Sequence, residues 1–122
     1  MLNDKDLDRY ARQAIMPAIG EEGQEKLLAA QVLIVGAGGL GAPVILYLAA
    51  AGIGAITIVD DDKISRSDLN RQIIYRDSDI GLSKSKQAAK TASTLNPDIS
   101  ISQRATPLNT DNVQSLLTKH DL

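Results

Sequence analysis

QVLIVGAGGLG, residues 31–41, is the segment that decides the fold of this chain. The apolar run Val32–Val35 is typical of a parallel strand that is covered on both faces. Gly36, Gly38 and Gly41 follow it with the G-x-G-x-x-G spacing, and an alanine-rich stretch comes next. This order predicts a strand, a tight turn and a helix whose N-terminus receives the phosphates of a nucleotide.

A second strand, Ala55–Val59, is predicted after a helix that runs from about Leu40 to Ala51. The two strands and the helix form a βαβ unit, whose crossover is expected to be right-handed. Asp60 ends the second strand at 24 positions after Gly36. An acid at about 20 residues after the first glycine hydrogen-bonds a ribose hydroxyl in such units. Asp60 could equally belong to a solvated turn, but the glycine turn before it favours nucleotide binding.

Two helices are predicted before the first strand, one capped by Asn3 and one over Glu21–Ala30. After the βαβ unit, a helix is predicted at about Lys84–Leu95. The alternation of apolar and polar residues over Ile99–Gln103 then predicts a third strand near a sheet edge. A last helix, capped by Asn109 or Thr110, follows. Near the C-terminus, the single His120 is predicted to be solvated.

The predicted fold class is α/β: one Rossmann-like, three-layer nucleotide-binding domain over residues 1–122 with a mostly parallel sheet. Three strands with their helices make only the first half of a doubly wound sheet. A half sheet exposes a strand edge and an apolar face. A fourth strand is expected to begin at Asp121-Leu122, where the chain stops. We therefore expect an incomplete domain, a fragment that ends after the third strand and its helix.

The composition excludes several classes of function. The 122 residues contain no cysteine, which excludes disulfides, thiolate zinc sites and a cysteine nucleophile. A net charge of -2 and only 2% aromatic residues make nucleic acid an unlikely partner. No apolar run approaches the roughly 20 residues of a membrane span, and the polar N-terminus lacks the pattern of a signal peptide. We expect a soluble, cytoplasmic protein with no membrane partner.

Residues 63–83 form a long polar connection, and such connections are usually functional or disordered. Arg66, Arg71, Arg76 and Lys84 give this region the positive charge of a phosphate lid, although Lys84 could equally be a surface lysine in the first turn of a helix. Order would require that the apolar side chains of the connection be buried: Leu69, Ile73, Ile74 and Tyr75. The aspartates at 60–62 could bind magnesium, but one turn without further ligands is weak evidence.

Motifs in a fixed order extend beyond the glycine turn: Arg9-Tyr-Ala-Arg-Gln13, Gly36–Gly41, Asp60, Ser67-Asp-Leu-Asn-Arg-Gln72, Gly81 and Lys84. In this order they closely resemble the ThiF/MoeB family of adenylyltransferases, relatives of the ubiquitin-activating enzymes. The resemblance extends from about residue 7 to the last residue. It implies an ATP-dependent transfer of AMP to the C-terminal carboxylate of a small ubiquitin-like sulfur-carrier protein of the molybdopterin or thiamine type.

The resemblance also implies roles for individual residues. Gly39 would approach the nucleotide through its backbone, within a loop that includes Gly36, Gly38 and Gly41. Asp60 would hold the ribose of ATP. Three residues would be catalytic. Arg71 and Lys84 would bind the triphosphate. The resemblance also implies a homodimer, in which Arg12 would act as an arginine finger in the site of the partner subunit. The wall beside the triphosphate would comprise Ser67, Asp68 and Asn70.

Three departures from the family's pattern qualify what the resemblance implies. Asp68 stands where the family usually has asparagine. The family's metal- and adenylate-binding aspartate would lie beyond Leu122, and its Cys-x-x-Cys pairs have no counterpart. Magnesium is therefore expected only with ATP, no protein metal ligand is assigned, and zinc is not expected. By itself the chain is predicted to be inactive or weakly active. The alternatives are the NAD-binding domain of an oxidoreductase and a non-catalytic nucleotide-binding or dimerisation module.

Overall fold

The computed structural model describes all residues, 1–122, and contains eight helices and strands of at least five residues. In chain order they are α1 Asp4–Ala14, α2 Gly20–Ala29, β1 Gln31–Val35, α3 Gly41–Ala51, β2 Ala55–Val59, α4 Lys84–Leu95, β3 Ser100–Arg104 and α5 Val113–Leu117. The predicted elements are all present, and most of their ends are either as predicted or shifted by a single residue. None of the helices combines the length and the apolarity that a membrane span requires.

The three strands form one parallel sheet in the order β1-β2-β3. Val32, Ile34, Ile56 and Ile58 point to one face, where they pack against α3 and α4 in a continuous aliphatic core. The other face carries Thr57, which α5 and the residues after it partly cover. Helices on both faces of a parallel sheet confirm the predicted Rossmann-like three-layer class, and β3 is the edge strand that its alternation indicated.

The last residues lie along the free edge of β1. Asp121 donates a backbone hydrogen bond to the carbonyl of Gln31 (2.8 Å), and Leu33 donates one to the carbonyl of Leu122 (2.8 Å). A fourth strand was expected to begin at these two residues, which form no strand of their own.

His120 and the start of α5 differ from the sequence-based expectation. His120 is half buried because its ring nitrogens lie 2.6 Å from the Leu116 carbonyl and 2.8 Å from Thr57 Oγ1. The prediction that it is solvated was wrong. The helix begins at Val113, after Asn112, rather than near residue 110. Asn109 accepts hydrogen bonds from the backbone of residues 111 and 112, so its side chain caps the turn that precedes the helix.

Helix α1 closes the end of the sheet at which the strands begin. The Tyr10 hydroxyl accepts a hydrogen bond of 2.8 Å from Asn96, which lies just before β3. The Tyr10 ring also packs against Gly52, just before β2, where an added Cβ would lie 2.6 Å from the ring. Gln13 donates to the carbonyl of Ala51 at the end of α3 (3.0 Å). The residues of α1 therefore lie one strand length away from the loop that follows β1.

Candidate nucleotide-binding site

The glycine loop turns sharply between the end of β1 and the start of α3. Gly36 has φ +96°, a conformation that residues with a Cβ rarely adopt. A Cβ at Gly41 would lie 1.8 Å from the Gly36 carbonyl oxygen, so only glycine permits this close approach. The loop thus leaves bare backbone at the N-terminus of a helix, which suits a phosphate group.

Asp60 binds this loop directly. Its Oδ2 accepts a hydrogen bond of 2.8 Å from the backbone N–H of Ala37, and its Oδ1 accepts one of 2.8 Å from that of Asp62. A carboxylate offers about four lone-pair sites. Asp60 therefore retains capacity to accept hydrogen bonds from the hydroxyls of a sugar.

Tyr75 holds the same residue of the loop, Ala37, at its carbonyl group. Its hydroxyl donates a hydrogen bond of 2.6 Å to the Ala37 carbonyl, and both residues are buried. Burial, together with the nearby carboxylates of Asp60, Asp68 and Asp79, raises the pKa of the Tyr75 hydroxyl, so the group remains a donor at neutral pH. Tyr75 was predicted only to be buried, without a role at the site. The sequence signal that could have indicated this role was a tyrosine, an aromatic residue with a hydroxyl group, inside a polar connection.

The connection between β2 and α4 is ordered and forms one wall of the site. It contains two short 3-10 helices, Arg66–Asp68 and Asp77–Asp79. Ile74 and Tyr75 are buried and Leu69 is half buried, as order requires, whereas Ile73 is 58% exposed.

Arg71 brings this wall to the glycine loop. Its side chain lies against Gly39, where an added Cβ would be 3.6 Å from Nε. The guanidinium donates to the carbonyl of Ser67 (3.1 Å) and to Oδ1 of Asn70 (2.9 Å). Ser67 and Asn70 therefore orient Arg71, and the guanidinium remains exposed beside the backbone that a phosphate would approach. Gln72 lies in the same way against Gly38.

Lys84 is the first residue of α4 and is 6% exposed, so the surface-lysine interpretation was wrong. Its Nζ lies 3.5 Å from Asp68 Oδ2 and 3.7 Å from Asp62 Oδ2. A backbone hydrogen bond from Ser65, followed by the charges of Lys84 and Arg71, lowers the pKa of Asp68. Asp68 is therefore charged at neutral pH.

A cleft of about 300 Å³ opens at the ends of the strands between the glycine loop and the segment after β3. Gly36 and Asp60–Asp62 form one side of it, and Thr106, Pro107 and Leu108 form the other. These last three residues were not among the predicted site residues. The general rule that open α/β sheets bind ligands outside the carboxyl ends of their strands would have indicated them. A larger cavity, of about 400 Å³, lies beside α4, and of the basic residues considered for the phosphate lid only Arg76 lines it.

Of the predicted site residues, Gly36 and Asp60 line this cleft, and Arg71 and Lys84 belong to the neighbouring wall. The remaining one to place is Arg12. It is an exposed residue of α1, at the opposite end of the sheet. No group of three or more carboxylate or imidazole side chains has the arrangement of a metal site.

Comparison with known proteins identifies this arrangement. The sequence model of the ThiF family matches residues 10–122. The SAMP-activating enzyme E1 of Haloferax volcanii is 45% identical over 121 residues, which cover 99% of this chain and 45% of that protein. The sulfur carrier protein adenylyltransferase of Thermus thermophilus is 43% identical over 118 residues, or 97% of this chain and 44% of that protein.

A solved structure has the same fold. The tRNA N6-threonylcarbamoyladenosine dehydratase of Escherichia coli, TcdA, in complex with ATP superposes with a TM-score of 0.89 at 29% identity. The match covers 97% of this chain and 48% of that one. The chain thus spans about half the length of each of these three proteins.

Proposed function

Because the chain belongs to the ThiF family, we propose that it carries the ATP-binding part of an adenylyltransferase acting on the C-terminal carboxylate of a small ubiquitin-like sulfur-carrier protein. The observation that supports this proposal best is the convergence of the glycine loop, Asp60, Arg71 and Lys84 at the carboxyl ends of the strands. The relatives named for the activation of SAMP and of sulfur carrier proteins support the same class of acceptor.

In the proposed complex the ribose lies at Asp60 and the adenine lies in the cleft bounded by Thr106, Pro107 and Leu108. The triphosphate then passes Gly39, whose backbone has no side chain to hold it off, and reaches Arg71 and Lys84. Basic groups beyond the ribose acid suit a triphosphate better than the second mononucleotide of NAD. The oxidoreductase alternative lacks such support.

The reaction needs no nucleophile from the protein. An oxygen of the acceptor carboxylate forms a bond to the α-phosphorus of ATP, and the bond from that phosphorus to the bridging oxygen of pyrophosphate breaks. The electron pair leaves with pyrophosphate. Arg71 and Lys84 would stabilise the charge that develops there through charge-assisted hydrogen bonds. In comparable electrostatic sites the loss of one such donor lowers the rate by about 10²–10³.

Arg12 would act in the site of a second copy of the chain. Its position on α1, at the far end of the sheet, leaves it one strand length from the cleft of its own copy. A homodimer in which each copy supplies Arg12 to the other would therefore complete two equivalent sites.

The exposed side of α3 supports the geometry of such a dimer. Leu40, Val44 and Tyr47 form an apolar stripe along the helix and are 87%, 45% and 76% exposed. The helix runs from the glycine loop to Ala51, which α1 contacts. Two copies packed with their α3 helices antiparallel would bury this stripe and bring Arg12 of each copy towards the glycine loop of the other.

Titration with ATP and with NAD tests the nucleotide assignment. We expect ATP to bind and Asp60→Ala to abolish binding. Preferential binding of NAD would contradict the proposal and favour the oxidoreductase alternative. ATP–pyrophosphate exchange, measured with sulfur-carrier proteins on this chain and on a version extended past Leu122, separates an adenylyltransferase from a non-catalytic module, because a module would bind ATP without exchange in either form.

Mixing two variants tests the shared site. Arg12→Ala and Lys84→Ala chains each lack one group at every site of their own homodimer. In a mixed dimer, one site has both groups and the other has neither. An equal mixture should therefore regain about a quarter of the wild-type ATP sites. No recovery after subunit exchange would indicate that Arg12 does not act across the dimer.

A further inference from the structure

The amino group of Lys84 is already paired with two carboxylates of its own chain. Asp68 Oδ2 lies 3.5 Å from Nζ and Asp62 Oδ2 lies 3.7 Å from it. The side chains of Lys84 and Asp68 are 8% and 14% exposed, whereas that of Asp62 is 73% exposed. Asp68 is therefore the partner that water screens least.

Asp68 is also fixed in position. Its Oδ2 accepts a hydrogen bond of 2.9 Å from the backbone N–H of Ser65, and its Oδ1 accepts one of 3.2 Å from Gln72 Nε2. Gln72 in turn lies against Gly38 of the glycine loop. The carboxylate therefore has little freedom to move away when another anion arrives.

A phosphate and a carboxylate bind an ammonium group in the same way, through short charge-assisted hydrogen bonds. A phosphate that binds Lys84 must therefore either replace Asp68 as the principal partner of Lys84 or bind Lys84 at close range to Asp68. Two anions around one buried cation repel each other, and low solvent exposure increases that repulsion.

We propose that Asp68 is a resident anion of the triphosphate pocket, which competes with the nucleotide for Lys84 and so limits the affinity of the site for phosphate-rich nucleotides. This inference rests on the proposed function, because it assigns Lys84 to the triphosphate of ATP. It adds that the affinity of the wild-type site for ATP is reduced, and that one carboxylate causes the reduction. Adenosine, which has no phosphate, escapes the competition.

The test compares the dissociation constants of ATP and of adenosine for the wild-type chain and for Asp68→Asn. Asparagine keeps the size of the side chain and an oxygen that accepts the Ser65 hydrogen bond, but it removes the charge. We expect Asp68→Asn to bind ATP about tenfold more tightly and adenosine with unchanged affinity. Asp62→Asn should give a smaller gain in the same direction, because Asp62 is largely exposed.

Asp77→Asn is the matched control for net charge. Asp77 is exposed and pairs with Arg66 at 3.4 Å rather than with Lys84. Its substitution should leave the affinity for ATP unchanged. Urea unfolding of each variant checks that it folds.

Each outcome decides between the two proposals. ATP binding by the wild type with no gain in Asp68→Asn would overturn the competition but leave the proposed function intact. An equal gain for adenosine would also overturn it, because the effect would then not depend on phosphate. If neither chain binds ATP, both proposals fail. If Asp68→Asn does not fold, the absence of any gain in Asp62→Asn overturns the competition.

Discussion

The three tyrosines of the chain offer a direct test of how the glycine loop is held. The Tyr75 hydroxyl donates to the carbonyl of Ala37 at 2.6 Å, and these residues are 4% and 0% exposed. Tyr75→Phe removes the donor and leaves a buried carbonyl without this partner, at a cost of about 1–3 kcal/mol. We expect the free energy of unfolding, measured in urea at pH 7, to fall by that amount. Because Ala37 lies in the loop, the affinity for ATP should fall as well.

The other tyrosines are the controls. Tyr10 is 2% exposed and accepts a hydrogen bond from Asn96 at the opposite end of the sheet. Tyr10→Phe should lower stability by a similar amount but leave the affinity for ATP unchanged. Tyr47 is 76% exposed, so Tyr47→Phe should change stability by less than about 0.5 kcal/mol. If Tyr75→Phe retains wild-type stability and affinity, or if Tyr10→Phe weakens ATP binding equally, then Tyr75 does not specifically support the loop.

Three further results are expected. Gly41→Ala should prevent stable folding, as judged by circular dichroism, because its Cβ would lie 1.8 Å from the Gly36 carbonyl oxygen. Gly39→Ala should keep wild-type stability, since its Cβ would make only ordinary contacts, yet it should weaken ATP binding in calorimetry by obstructing the phosphate; unchanged affinity would contradict the proposed path of the triphosphate. The ion pair with Lys5 lowers the pKa of Asp98, so the unfolded chain takes up a proton first as the pH falls. Stability should therefore decline below about pH 4, and Asp98→Asn should flatten that decline in urea titrations at a series of pH values.

Most of the fold could be predicted because its signals are local. The bounds of α4 are as predicted, since Ser83 caps its start and Asn96-Pro97 ends it. The strands follow from runs of apolar or alternating residues. Such patterns reflect the periods of strand and helix, and they need no knowledge of distant contacts.

The features that were not predicted have a different cause, because they depend on contacts between distant segments of the chain. His120 is half buried because it meets Thr57, 63 positions earlier in the chain. Lys84 is buried because Asp62 and Asp68 lie around it. Nothing in the local sequence around Leu108 indicates that it faces the glycine loop. The site residues implied by the family resemblance lie together, apart from Arg12, but their roles remain predictions.

Both peptide groups of Ala37 are held, one by Asp60 at the N–H and the other by Tyr75 at the carbonyl. The glycine loop is therefore set before any nucleotide arrives, and binding does not have to order it. Such preorganisation removes part of the entropic cost of association. It follows that the backbone amide of Ala37 should already exchange slowly in the free protein, and that its exchange should change little when the nucleotide binds. Substitutions of Asp60 would affect this preorganisation as well as the contact with the ribose.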